Sequence, residues 1–446
     1  MQLPGHTRKE TGMGKRMNYL EAVSYRKELA KQKGMVLGLG TMRTLMEELG
    51  NPQDRLKFIH LAGTNGKGST SSYLEQALIA AGYRTGKYTS PAVFDFREQY
   101  QVNGVWMEEE EAAACLTKVA EAAARMVETG QPQPTSFEQE TALAFVWFAE
   151  KKCDLVVLET GLGGDEDATN VVKTTVCSVL TSISLDHRRI LGGTLAEIAS
   201  HKAGIIKPGI PVVSHPQSRD AMEVIRRRAE ELHAPLFVSR PDAMVLEAED
   251  ANGMTVSYGS WNHLHTTQTA LWQIENMAVA LEVLEELKRQ GYVFEESAVR
   301  TGWEQMTWHG RFEIISKNPL ILLDGAHNPA GAAALSASLD HRFHDRRKTF
   351  VMGVLADKDY SKMIDILFSD RQVQTVYTVA SDSARALPAR ELAAAIQRQQ
   401  PGCCVQAAES VKQALTLAAR EAGEDGMIVV CGSLSFMKEI KNWQDE

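Results

Sequence analysis

Long apolar runs are missing from this sequence. Stretches such as Leu155 to Leu158, Leu320 to Leu323 and Met427 to Val430 are only a few residues long, whereas a membrane-spanning helix needs roughly 18 or more consecutive apolar residues. No membrane role is expected. An excess of positive charge is missing as well. The 48 Lys and Arg residues against 57 Asp and Glu leave a net charge of −9, which disfavours nucleic acid or an anionic membrane as the main partner but allows a local basic pocket. Paired CxxC spacings are also missing. Cys115, Cys153, Cys177, Cys403, Cys404 and Cys431 read as reduced thiols in a cytoplasmic protein, the adjacent pair being poor disulfide geometry. There is no Pro/Gly excess, low-complexity tract or internal repeat, which excludes a mainly disordered or fibrous chain.

What is present is a chain of 446 residues, 44% hydrophobic, long enough for two or three domains with sizeable cores. Residues 1–16 carry basic groups without the apolar stretch of a signal peptide and read as an N-terminal extension, expected to be disordered; Met17 opens a better helical pattern and reads as an alternative start. Beyond it, short Leu- or β-branched-rich runs alternate with helical patterns. Leu56 to Ala62 precedes a helix over Ser69 to Ala81; a helix over Ser136 to Lys151 precedes Asp154 to Thr160; Val176 to Ile183 precedes a helix over Thr194 to Lys202. This alternation predicts βαβ units and a mostly parallel sheet. Ser136 with Gln139 reads as a capping box. Asn103-Gly104 and Asn252-Gly253 predict two antiparallel hairpins.

Helix Gln273 to Gln290 is followed by Ser297 to Arg311, which lacks clear periodicity and is taken as the region of a domain boundary. The alternation then restarts with strands at Leu320 to Leu323, Thr349 to Leu355, Thr375 to Val379 and Met427 to Cys431, and helices at Pro329 to Leu339, Ser361 to Phe368, Ala389 to Gln399 and Ser410 to Ala422. The expected fold is α/β throughout. An N-terminal P-loop-type ATPase domain over 17–311 has a mostly parallel sheet with small antiparallel additions, and a smaller Rossmann-like α/β domain covers 312–446.

The strongest motif is Gly63-Thr64-Asn65-Gly66-Lys67-Gly68-Ser69-Thr70, between a strand and a helix. Glycines let backbone N–H groups converge on phosphate oxygens, the helix N-terminus adds its positive end, Lys67 supplies a point charge, and Ser69 can hold Mg²⁺. The spacing departs from GxxxxGK[ST], since two residues separate Gly63 from Gly66 and a glycine stands between Lys67 and Ser69. Glu159 ends a second strand before Gly161-Leu162-Gly163-Gly164, at the sheet edge where ligands of open α/β sheets sit, and reads as a metal-binding carboxylate. Alone, His187 reads as a structural histidine and Lys202 as a surface lysine. In the second half, Asp324-Gly325-Ala326-His327-Asn328-Pro329 again ends a strand with polar groups. Arg311 either reaches nucleotide phosphates or forms an interdomain salt bridge, and Trp303 and Trp308 read as packing at the junction.

With these segments placed, the chain resembles the folylpolyglutamate synthases and the related bifunctional dihydrofolate synthases of the Mur ligase superfamily. The likeness runs from about Met17 onward through Ile59 to Thr70, Tyr88-Thr89-Ser90-Pro91, Ser136-Phe137-Glu138, Glu159 to Gly164, Asp167-Ala168-Thr169-Asn170, Leu185-Asp186-His187, Lys202-Ala203-Gly204-Ile205 and Asp324 to Pro329. It implies an ATP-dependent ligase that adds L-glutamate to the γ-carboxylate of a folate. Dihydropteroate is the alternative acceptor, alone or in a bifunctional enzyme; a cell-wall amino-acid ligase is a more distant alternative, and a nucleotide-binding protein without catalysis is the alternative of another class.

The resemblance further implies ATP with Mg²⁺, two ions being expected and a monovalent cation being a further candidate. Gly63 to Thr70, Asn276, Arg311 and Asp324 would hold the nucleotide. Ser69, Glu159, His187 and a carbamylated Lys202 would hold the metal, so that Lys67, Lys202 and His327 form the catalytic set. Thr89, Ser90, Pro91 and Phe94 would lie beside the folate, in a mobile loop running to Arg97, and His327 with Ser433 beside the glutamate. A monomer is expected. Asp165, Glu166, Ala92, Arg188, Arg189 and His201 depart from the family pattern: Asp165 stands where relatives frequently carry a base, and His201 where they carry an acid.

Overall fold

Residues 16–32, 38–368, 373–381, 383–423, 426–436 and 439–440 are described by the structure, a computed structural model. The N-terminal extension expected over 1–16 lies outside them except for Arg16. The first and largest sheet has eight strands in the spatial order Val105–Trp106, Tyr100–Val102, Thr85–Tyr88, Leu155–Glu159, Phe58–Ala62, Thr175–Leu180, Val212–Ser214 and Leu236–Val238. All are parallel except the hairpin of the first two. Strands Phe58–Ala62 and Leu155–Glu159 are buried at every position, as expected of strands covered on both faces.

One face is covered by helices Glu109–Glu128 and Ser136–Glu150 and the other by Lys67–Ala80, Gln273–Arg289 and Glu296–Glu304. The register pairs Leu61 with both Glu159 and Val179. The chain therefore leaves strands Phe58–Ala62, Leu155–Glu159 and Thr175–Leu180 along one edge of the sheet, and the loops that follow them meet there. The last sheet has six strands in the order Glu313–Lys317, Leu320–Leu323, Met427–Cys431, Lys348–Met352, Val373–Thr378 and Cys404–Ala407, with only the first antiparallel.

Two expectations need correction, and at two places the sheets go beyond the sequence reading. The capping box at the helix Ser136–Glu150 is made by Thr135 and Glu138, not Ser136 and Gln139, because the chain enters its helical turn one residue earlier than the Ser signal suggests. The hairpin expected at Asn252-Gly253 is present, Val245–Asp250 pairing antiparallel with Gly253–Tyr258, and a third strand, Trp261–Thr266, extends it to a small sheet. Edge strands Glu313–Lys317 and Cys404–Ala407 lacked the apolar run that marks a buried strand; neither is fully buried. Finally, much of Ser297 to Arg311 is a helix, Glu296–Glu304, packed on the helix Lys67–Ala80. Gly302 is the approach point, since a Cβ there would lie 2.3 Å from the Gln76 carbonyl oxygen. Trp303 is buried beside it and donates from Nε1 to the Tyr73 carbonyl at 3.1 Å.

Because backbone cannot yield as a side chain can, Gly302→Ala is expected to cost about 1–3 kcal/mol through overpacking, read as a lowered midpoint in denaturant or thermal unfolding. An unchanged midpoint would show that the two helices are not in this contact.

Candidate active site

The glycine-rich segment turns between strand Phe58–Ala62 and helix Lys67–Ala80. Gly63 is compulsory there, since a Cβ would lie 1.8 Å from Thr181 Oγ1, and Gly66 adopts φ +88 beside the Asn276 amide. Among the described residues no side chain caps the helix that follows, so its first N–H groups and positive end remain available to an anion. Two amines meet on one carbonyl at this point. Lys67 Nζ lies 3.0 Å and Lys202 Nζ 2.8 Å from the Gly63 oxygen.

Lys202 is buried near the end of helix Leu195–Ala203, whose start is fixed by a Thr194/Glu197 capping box. Burial, with the Lys67 charge beside it, pulls its ammonium down to about 7. Glu159 stands 3.6 Å from Lys67. Burial pushes its carboxyl up, while Lys67 and Arg311 oppose that rise.

The opposite wall comes from the six-stranded sheet. Asp324 follows strand Leu320–Leu323 and accepts from the Phe312 and Ala326 N–H groups at 2.9 and 2.8 Å. Burial raises it to about 6 against the attraction of Arg311. His327 Nδ1 lies 2.8 Å from the Gly325 carbonyl, and burial together with the Lys358 charge lowers the ring to about 4. His187, in a left-handed backbone conformation with φ 49, is likewise lowered to about 4 by burial and Lys358.

Between the walls lies a cavity of about 540 Å³ lined by Gly63, Thr64, Asn65, Gly66, Lys67, Gly68, Ser69, Ser90, Pro91, Glu159, His187, Lys202, Asn276, Arg311, Asp324 and His327. The structure thus brings most of the expected residues together. Thr70, Thr89 and Ser433 are buried outside this lining; the Ser433 hydroxyl is 2.7 Å from that of Ser435. Phe94 is also outside it. With Val93 it packs against the core of the six-stranded sheet, while Phe96 in the same loop stacks on Tyr19 of the N-terminal helix Tyr19–Gln32. Trp308 packs over Gly68 and lies 4.9 Å from the buried Lys87 ammonium, which pairs with Glu75.

Among the described residues no three His, Cys, Asp or Glu side chains form a cation cage. Ser69, Glu159, His187 and Lys202 line the cleft as separate groups. That arrangement suits Mg²⁺, which takes one or two protein ligands and completes its shell with water and substrate phosphates.

Three residues were not singled out from sequence. Asp186, Asn328 and Lys358 make a polar junction across the cleft, Asp186 accepting from the other two. The first two stood inside recognised motifs; Lys358 carried no local signal. Two of the departures from the family pattern meet each other: His201 Nδ1 lies 3.0 Å from both Asp165 carboxylate oxygens.

Comparison with known proteins supports the same reading. Residues 310–434 match the model for the Mur ligase, glutamate ligase domain. The chain is 36% identical over 422 residues to the dihydrofolate synthase/folylpolyglutamate synthase of Bacillus subtilis, covering 92% of this chain and 95% of that one. The chain belongs to the folylpolyglutamate synthase/dihydrofolate synthase family. The folylpolyglutamate synthase of Lacticaseibacillus casei is 36% identical over 386 residues, 83% of this chain and 88% of that one. Among solved structures, the Mycobacterium tuberculosis folylpolyglutamate synthase complexed with ADP and AMPPCP aligns with a TM-score of 0.87 at 29% identity, covering 96% and 99% of the two chains. Escherichia coli FolC in complex with DHPP and ADP aligns with a TM-score of 0.83 at 30% identity, covering 95% and 97%. Among the described residues of this family member, no helix is long and apolar enough to cross a membrane.

The Lys202 amine gives a pH signature. Its value of about 7 in the fold lies below the ordinary 10.5, so between those limits the unfolded chain binds more protons and stability rises with pH. The cost of a buried ammonium is full below the lower limit and fades toward the upper one. In carbon-dioxide-free buffer, Lys202→Met is expected to melt above the parent at about pH 6, the gap closing toward about pH 10. A gap that does not change with pH would contradict the assignment.

Proposed function

We propose that this cleft makes an amide from a carboxylate acceptor and L-glutamate at the expense of ATP, the acceptor being the γ-carboxylate of a folate. One observation carries the reading: an uncapped helix N-terminus with Lys67 and Lys202 faces Asp324 and His327 of the glutamate ligase domain across a single cavity. In this reading residues 17–311 form the ATP-binding body and residues 312–446 the ligase domain. A monomeric catalyst is part of this proposal.

A carboxylate is a poor acyl donor because its charge repels a nucleophile and its leaving group would be oxide. Transfer of the γ-phosphoryl group of ATP to the acceptor carboxylate removes both obstacles, with ADP leaving. Gly63 to Thr70 cradle the phosphates through backbone N–H groups, and Lys67 and Arg311 face the transferring oxygens, where negative charge gathers. Asn276 and Asp324 hold the nucleoside side. Ser69, Glu159 and His187 would hold Mg²⁺, which would supply charge neutralisation at the phosphate oxygens. Lys202, whose amine is lowered to about 7 and so holds a substantial neutral fraction near neutral pH, is suited to carbamylation, which would replace a second cation on Gly63 by an oxygen ligand for the metal.

The glutamate amine then attacks the acyl carbon, and phosphate leaves with the bond to its oxygen. With Nδ1 engaged by Gly325, a neutral His327 offers Nε2 to the incoming amino group, and Ser433 stands on the same wall. The loop from Thr89 to Arg97, with Ser90 and Pro91 at the cavity and Phe94 at the other lobe, borders the acceptor. Cysteines have no part in this chemistry, since no covalent enzyme intermediate is needed.

Dihydropteroate is kept as a second acceptor because the Bacillus subtilis relative carries both activities in its name. The non-catalytic reading loses ground: the unusual residues 165 and 201 pair with each other, so the base and acid of relatives are exchanged rather than lost.

The test supplies ATP, Mg²⁺ and L-glutamate with tetrahydrofolate or, separately, dihydropteroate, and weighs the products by mass spectrometry. Release of ADP and phosphate with a product one glutamyl unit heavier is expected. Lys67→Ala should lower turnover by about 10²–10³-fold or more while keeping the parent's thermal midpoint. Parent-like turnover in that variant, or failure of both acceptors with the parent protein, would reject the reading. A ¹³C-bicarbonate carbamate resonance present in the parent and missing in Lys202→Met is the expected mark of the modification.

A further inference from the structure

Lys358 is buried at the junction of the two lobes, in the loop after strand Lys348–Met352, yet does not line the cavity. Its Nζ donates to both oxygens of Asp186 at 2.7 and 2.9 Å, and the two side chains are only 6% and 9% exposed. Asp186 belongs to the other lobe, in the loop after strand Thr175–Leu180. Its Oδ2 also accepts from Asn328 at 3.2 Å, and His327 and His187 stand 3.8 and 4.0 Å from the same oxygen. Asn328 then exchanges side-chain amide bonds with Asn65 of the glycine-rich loop, at 3.0 and 3.3 Å, and caps the helix Pro329–Phe343 through the Gly331 N–H at 2.8 Å. A continuous polar chain therefore runs from the phosphate loop through the second lobe and back to the first.

We propose that Lys358 is a positioning residue: by clamping Asp186 across the lobe junction it sets His327 and Asn328 at their working distance from the phosphate loop. The charge argument supports this. A lone carboxylate at Asp186 would be a buried, uncompensated anion, and it would repel the phosphates for which the neighbouring loop is built. The Lys358 ammonium, at 2.7 and 2.9 Å from the two carboxylate oxygens, supplies the compensating charge, and breaking a buried pair on one side only is far costlier than the pair's net worth. The loop bearing Lys358 is itself braced, by the Leu355–Ala386 bridge and by Arg385 Nη2 on Asp357 at 2.6 Å.

Two measurements on the full-length protein test the proposal. Small-angle X-ray scattering of Lys358→Gln, and of the near-isosteric Asp186→Asn as an independent break of the same pair, should give a larger radius of gyration than the parent, and Lys358→Arg should restore the parent value. In the ligase assay, an arm that rests on the function proposed above, Lys358→Gln should lower kcat by up to about 10²-fold, as misplaced reacting groups do, with a smaller change in the KM for ATP and recovery in Lys358→Arg. The scattering arm needs no turnover, so it stands or falls separately from the assigned reaction. Parent-like radii in both Lys358→Gln and Asp186→Asn would overturn the proposal, as would a kcat in Lys358→Gln equal to that of the parent.

Discussion

The carbonyl of Gly63 receives two lysines from different parts of the chain, and the rest of the cleft depends on that crowding. Lys67 comes from the helix that begins at the loop and Lys202 from the end of another. Two ammonium groups on one neutral oxygen repel each other in a region shielded from water, where such repulsion is strong. The fold resolves this by lowering the proton affinity of Lys202 and by placing Glu159 against Lys67. What remains is an electropositive floor with a helix terminus behind it, a surface complementary to a polyanion.

The second lobe meets this floor with the opposite emphasis. Asp324 is locked by two backbone N–H groups and faced by Arg311, and His327 is held by a carbonyl on its own loop. Both sheets end their central strands toward the same gap, as open α/β sheets do when they bind ligands. Neither lobe has the whole machinery. The glycine-rich loop belongs to one and the match to the glutamate ligase domain to the other, so the cleft is complete only when they are aligned, and the Asp186, Asn328 and Lys358 side chains that cross between them are buried rather than solvated.

Much of this was legible in the sequence where chemistry and local geometry coincide. Gly63 to Thr70 had to be a strand-to-helix turn because glycines at 63 and 66 and a lysine at 67 make sense nowhere else, and the helix Ala389–Gln399 and strand Met427–Cys431 have the boundaries their periodicity implied. What escaped was set by long-range contact. The helix Glu296–Glu304 went unread because the contact that fixes Gly302 is with Gln76, more than two hundred residues earlier. Lys358 drew no reading because its partner is 172 positions away. Strands Glu313–Lys317 and Cys404–Ala407 sit at a sheet edge, where half-exposed positions blur the apolar pattern. The oddities at 165 and 201 each looked like damage when read alone and become a pair when brought within hydrogen-bonding distance.

The loop from Thr89 to Arg97 is tethered to both lobes. Phe96 leans on Tyr19 of the N-terminal helix, whereas Val93 and Phe94 are seated in the core of the six-stranded sheet. An entrance built this way has no independent hinge. Any rotation of one lobe against the other drags the doorway with it, so the width of the cleft mouth at Ser90 and Pro91 is mechanically yoked to the six-stranded sheet. Substitutions beneath Val93 and Phe94 can therefore reshape that mouth at a remove from its lining.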